Sequence, residues 1–172
     1  VVFEEANVDT IVKGGYDVAI LATGAKVRVP EVKGLDSKEA IYAMDFLDQG
    51  AKTDAQNIVV VGGGIVGAET ALILAEEQGK NVTITTRSPE FFVSGVMGIA
   101  YMTRLAMAGV KNCPKMQLIA IEDGKPVFVG PRGIETMDVD QVIISSGFIP
   151  TFNKLRDEIE AASDEIEVVG IG

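Results

Sequence analysis

Short, almost continuously apolar runs alternate along the chain with stretches in which apolar residues return every three or four positions, the pattern of strands and helices in turn. Asp17–Thr23 (DVAILAT) stops at Gly24 and predicts a strand buried on both faces. The following AKVRVPEVKGLDSKEA holds neither period and reads as a linker, and Ile41–Leu47 predicts a short helix before the polar loop Asp48–Gln56. Ile58–Val61 predicts a strand, GGGIVG a loop, Ile65–Gln78 a helix with Gly79 as its stop, and Val82–Thr86 a second strand: a β-α-β unit. On its helix Ala68, Ala71, Leu72 and Ala75 form a sheet-facing stripe. Glu69, Glu76 and Glu77 form the polar side, the last two badly placed for the helix dipole.

Farther on, Val96–Ala108 fits a helix with Met97, Tyr101, Leu105 and Ala108 on one stripe, closed by Gly109. Gln117–Ile121, Pro126–Val129 and Ile134–Met137, separated by EDGK and GPRG, predict an antiparallel meander. Gln141–Ser145 is a further buried strand ahead of Gly147; a charged helix, Asn153–Ala162, and a short strand, Glu167–Val169, complete the chain. The order predicts an α/β, Rossmann-like fold: a central parallel sheet with a β-meander, and helices on the other face.

Composition narrows the function classes. With 172 residues, 47% of them hydrophobic, the chain is too apolar to be disordered and predicts one packed unit. Fifteen basic against 25 acidic residues give a net charge of −10, which disfavours nucleic acid and anionic membrane as partners. The sequence has no apolar run of transmembrane length and no signal-peptide pattern at its start, so the expectation is a cytoplasmic protein. A single cysteine, Cys113, allows no internal disulfide or Cys-x-x-Cys pair, and the absence of histidine removes the usual proton shuttle and metal ligand. No catalytic residue and no metal ligand is assigned; the chemistry must come with a cofactor.

The glycine loop supplies the place for one. Gly62-x-Gly64-x-x-Gly67 follows a strand and opens a helix, the context in which this spacing has a mechanism. Gly62 permits the tight turn, Gly64 lets the backbone approach a pyrophosphate, and Gly67 allows close helix-on-strand packing. With Gly63, Ile65 and Val66 they form the candidate cofactor-binding loop, its free amides and helix dipole directed at the anion. The type of dinucleotide is decided at the end of the next strand, where an Asp or Glu would grip the ribose hydroxyls. Thr86 stands there, and Arg87 follows, suited to a 2′-phosphate; this favours NADP(H) over NAD(H) or FAD in the loop. The alternative is that Arg87 is a solvated cation and the site relaxed or degenerate.

Three segments carry a family resemblance. ILATGAKVRVPEVKG, VVVGGGIVGAETALILAE and VIISSGFIPT, in that order, resemble the pyridine nucleotide-disulfide oxidoreductase superfamily, and most nearly the C-terminal part of NADH:flavin oxidoreductase, 2-enoate reductase and 2,4-dienoyl-CoA reductase type proteins. The resemblance implies that residues 1–24 are part of an FAD-domain half with its linker, residues 25–150 the NAD(P)-binding domain, and residues 151–172 the return toward the FAD domain. It also implies FAD in the parent protein, Glu69 near the nicotinamide, and Gly147 beside the dinucleotide, with a solvent-facing Glu69 as the alternative. Thr86-Arg87 resembles the NADPH-binding arginine segment of thioredoxin reductases. An upstream FAD glycine fingerprint and the Gly-Asp expected near Val169-Gly170-Ile171-Gly172 are absent, so the expectation is a fragment, inactive alone, whose partners are the FAD-binding and catalytic domains of its parent. Against this NAD(P)H-positioning role stands a non-catalytic module that holds ADP or nothing.

Overall fold

A computed structural model describes residues 3–91 and 95–171. Rather than one packed unit, the chain forms two: an inner unit, Val29–Gly147, and a flanking unit built from Val1–Arg28 and Phe148–Gly172.

The inner unit is organised by a five-stranded, all-parallel sheet. Its strands are β3 (Ala40–Tyr42), β4 (Asn57–Val61), β5 (Asn81–Thr86), β6 (Lys111–Pro114) and β10 (Gln141–Ile144), in the order β3-β10-β4-β5-β6. Three antiparallel strands, β7 (Gln117–Glu122), β8 (Lys125–Gly130) and β9 (Gly133–Thr136), form the expected meander. Alternate residues of the central strands serve opposite faces. Ile58, Val60, Ile84 and Ile143 pack with residues of helices α2 (Ala43–Asp48), α3 (Ile65–Leu72) and α4 (Gly95–Met107), while Val59, Val142 and Ile144 pack with Leu118, Ile121 and Phe128 of the meander. Parallel strands buried on both faces explain the unbroken apolar runs.

Helix α3 buries Ala68, Ala71 and Leu72 and continues as a π-helical stretch, Ile73–Glu77; Gly79, at φ 63°, ends it. Gly109, at φ 74°, follows α4 in the same way. Three local expectations are corrected. Ile41 and Tyr42 belong to strand β3, because pairing with β10 overrides their local helical pattern, and the helix begins only at Ala43. The stretch from Val29 is not a bare linker: Ile121 donates its amide to the Lys33 carbonyl (2.8 Å), and Val32 and Leu35 pack under the meander. Met97 is 62% exposed, so the buried stripe of α4 reduces to Leu105, with Tyr101 and Ala108 partly covered.

In the flanking unit β1 (Val18–Leu21) pairs in parallel with β12 (Glu167–Gly170), and β2 (Ala25–Val27) pairs antiparallel with β11 (Phe148–Pro150). Helices α1 (Val8–Lys13) and α5 (Asn153–Ala162) supply Val8, Ile11 and Ile159 to a small core around Ala19, Leu21 and Phe152. Strand β1 is buried on one face only, since Val18 and Ile20 are exposed. Among the described residues no helix is long and apolar enough to cross a membrane.

Candidate functional site

Every strand of the parallel sheet points its carboxyl end to the same edge, and the glycine loop leaves that edge from β4. From β4 the chain proceeds through α3 to β5 and through α4 to β6 on one side, whereas β10 and β3 lie on the other. The order therefore reverses between β4 and β10, the switch point at which open α/β sheets bind ligands. Ser145–Gly147 leaves β10 at that same point. Gly147 has φ 84°, and the neighbouring Ser145 amide donates to the Val61 carbonyl at 2.8 Å.

The glycines of the loop answer to different constraints. Gly62 has φ 128°, a conformation that L side chains rarely adopt, and a Cβ there would stand 1.9 Å from the Ser145 carbonyl oxygen. A Cβ at Gly67 would stand 2.0 Å from the Gly62 carbonyl oxygen, so the first turn of α3 closes directly on the loop. At Gly63 a Cβ would meet the Phe91 ring at 2.5 Å and Thr86 Cβ at 3.1 Å, a packing contact. Gly64 is the exception. It is the N-cap of α3 with ordinary extended backbone (φ −80°, ψ −178°), and among the described residues nothing lies within 4 Å of a Cβ built on it.

Open space over a cap glycine is what an anion needs. The Ala68 amide donates to the Gly64 carbonyl at 2.9 Å, so the amides of Ile65, Val66 and Gly67 precede that bond at the positive end of the helix. Free backbone amides at the start of a helix, with its positive end, are the donors that anions take.

At the end of β5, Thr86 is buried and Arg87 exposed. The Thr86 hydroxyl accepts the Ser88 amide (3.3 Å) and its carbonyl accepts the Met116 amide (2.9 Å), so this threonine holds the turn. Arg87 makes no ion pair among the described residues. No carboxylate occupies the strand end itself.

Glu69 is exposed on α3, and Tyr101 on α4 donates its hydroxyl to Glu69 Oε1 at 2.6 Å. That bond, more than desolvation, holds the Tyr101 phenol above its ordinary range, so it stays protonated and donating at neutral pH. One turn on, Arg104 pairs with Glu76 at 2.5 Å, joining α4 to the end of the α3 region. Sequence reasoning missed Tyr101 as a partner, Ser145 as the wall behind Gly62, and the whole of β6. Among the described residues no cluster of three or more His, Cys, Asp or Glu side chains is arranged for a metal ion.

The family model described as pyridine nucleotide-disulphide oxidoreductase matches residues 2–169. The chain belongs to this family. Its members are oxidoreductases that use FAD together with a nicotinamide nucleotide. An NADH oxidase of Thermoanaerobacter brockii is 29% identical over 178 aligned residues, covering 96% of this chain and 26% of that protein. A solved 2-naphthoyl-CoA reductase in complex with 2-naphthoyl-CoA superposes with a TM-score of 0.70 at 26% identity, over 98% of this chain and 25% of that one. An FAD-dependent pyridine nucleotide-disulphide oxidoreductase from Desulfovibrio vulgaris gives a TM-score of 0.60 at 25% identity, over 84% and 38% of the two chains. The chain thus spans about a quarter of the length of the NADH oxidase and of the reductase it matches.

Proposed function

We propose that this chain is the NAD(P)H-binding part of a cytoplasmic FAD-dependent oxidoreductase and positions a nicotinamide for hydride transfer to a flavin. The observation that carries the reading is the open cradle at Gly64, framed by Gly62 and Gly67 at the switch point of a parallel sheet. Gly62–Gly67 hold the pyrophosphate, with the Ile65 and Val66 amides as donors; Gly63 keeps Phe91 and Thr86 close, and Gly147 borders the dinucleotide. Thr86 leaves the ribose end without a carboxylate, and Arg87 meets a 2′-phosphate, which makes NADP(H) the preferred cofactor over NAD(H). Residues 1–24 and 151–172 belong with the FAD half, and the FAD-binding and catalytic domains of the parent protein are the partners. When bound, the reduced nicotinamide supplies the hydride and the parent's flavin accepts it; this chain's residues bind and orient.

A non-catalytic nucleotide-binding module is the second reading. It has one observation in its favour: the Glu69 carboxylate, expected near the nicotinamide, is already engaged by Tyr101. Calorimetric titration with NADPH, NADH and ADP separates the two. A hydride-donor site prefers the reduced dinucleotides over ADP; the Arg87 assignment adds a preference for NADPH over NADH, which Arg87→Ala abolishes, about a tenfold effect for one charged hydrogen bond. Equal affinity for NADPH and NADH refutes the Arg87 assignment, and tighter binding of ADP than of either refutes the hydride-donor role.

A further inference from the structure

We infer that Lys115, at the carboxyl end of β6, is a second cation for the 2′-phosphate, so that the phosphate is gripped from two adjacent strand ends. The inference rests on the NADP(H) reading of Arg87 above and extends it to a residue outside the glycine fingerprint and the β5 turn. Its basis is the way the two strand ends are joined. Thr86 stands opposite Pro114 in the parallel register of β5 and β6. Immediately beyond, the Lys115 amide donates to the Ser88 carbonyl at 3.0 Å and the Met116 amide to the Thr86 carbonyl at 2.9 Å. Two backbone hydrogen bonds therefore bracket Arg87 and fix Lys115 beside it, at the ligand-facing edge of the sheet.

The residue type at 115 is itself unexpected. Its φ is 59°, in the left-handed region, where glycine or asparagine is the less strained choice. Lys115 is exposed and makes no ion pair among the described residues, and the same holds for Arg87. The nearest acid along the turn, Glu90, pairs with neither. In a chain of net charge −10, two cations on hydrogen-bonded neighbouring turns, with no ion pair among the described residues, form a local site for a dianionic phosphate monoester. A diphosphate inside the cofactor does not need them; the monoester on the ribose does.

The test is calorimetry of the whole chain with NADPH and NADH for the wild type, Lys115→Asn, Lys115→Arg and Arg87→Gln. Asparagine suits the left-handed backbone, so Lys115→Asn melts no lower than wild type and any binding loss is not misfolding. The expected result is a threefold to tenfold, roughly, weaker NADPH affinity in Lys115→Asn, unchanged NADH affinity, a shallower salt dependence, and recovery in Lys115→Arg. If Arg87→Gln loses the NADPH preference while Lys115→Asn keeps wild-type NADPH affinity, Lys115 is a bystander and the inference falls alone. A wild type that binds NADPH no better than NADH overturns the Arg87 reading, and this inference with it.

Discussion

Replacing Gly64 with valine separates binding from folding more cleanly than any other change in the loop. Among the described residues the built Cβ meets nothing within 4 Å, and φ −80°, ψ −178° is backbone that valine adopts readily. Fewer unfolded conformations stabilise the variant by about 0.4–1 kcal/mol, and exchanging glycine for an aliphatic residue at the N-cap costs a similar amount. The net is within ~1 kcal/mol, which moves the melting temperature by roughly 2–4 °C in a chain of this size. Binding responds on another scale. The isopropyl group occupies the space a pyrophosphate needs to reach the Ile65, Val66 and Gly67 amides. Each hydrogen bond from such a donor to a charged group is worth about 1.5–3 kcal/mol, so losing two weakens binding at least about a hundredfold. Calorimetry with NADPH, beside a thermal melt of the same sample, reads both quantities. A folded Gly64→Val protein with wild-type NADPH affinity refutes the reasoning, because the cradle would then not be the site.

Other outcomes follow from neighbouring features. Gly62→Ala combines a left-handed φ with a carbonyl oxygen 1.9 Å from the new Cβ, and lowers stability by about 2–5 kcal/mol in denaturant unfolding, in contrast to Gly64→Val. Asp140 accepts the backbone amides of Asn57 (2.7 Å) and Gln56 (3.1 Å), which hold its carboxyl below the usual carboxylate range. Its stabilisation is therefore complete above the unfolded-state pKa and is lost as pH falls through the lower folded value; Asp140→Asn melts earlier at pH 7 and shows a flatter decline below about pH 5, as thermal melts across pH will record. The purified chain is colourless and does not turn over NAD(P)H with an added dye, which absorbance and a dye-reduction assay check.

What the sequence made legible was whatever backbone geometry dictates by residue type. Gly62, Gly67, Gly79 and Gly109 were readable because turns with positive φ and close approaches exclude side chains, and the central strands because burial on both faces demands unbroken apolar runs. The pairing of β2 with β11, in which Pro150 stands opposite Ala25 and the Thr151 amide donates to the Gly24 carbonyl at 3.0 Å, joins segments more than a hundred residues apart. The edge strands were not readable. Ala40–Tyr42 and Lys111–Pro114 are strands because β10 and β5 offer them free ladder groups, and a polar KNCP has no local signal for that. Helix α1 did carry a signal that went unused: Asn7 and Thr10 form a reciprocal capping box. The Tyr101–Glu69 bond joins two helices far apart in sequence, and neither residue's local context announces it.

The pairing of β1 with β12 joins Val18 to Glu167, nearly the two ends of the chain. Closing so long a loop in an unfolded chain is entropically uphill, and little side-chain burial rewards it in so small a core. Once β2 and β11 have paired, Val27 with Phe148, the loop that remains to be closed shrinks to a short span on either side. Connectivity thereby gives β2 and β11 a part beyond their few hydrogen bonds: their pairing shortens the loop that β1 and β12 must close.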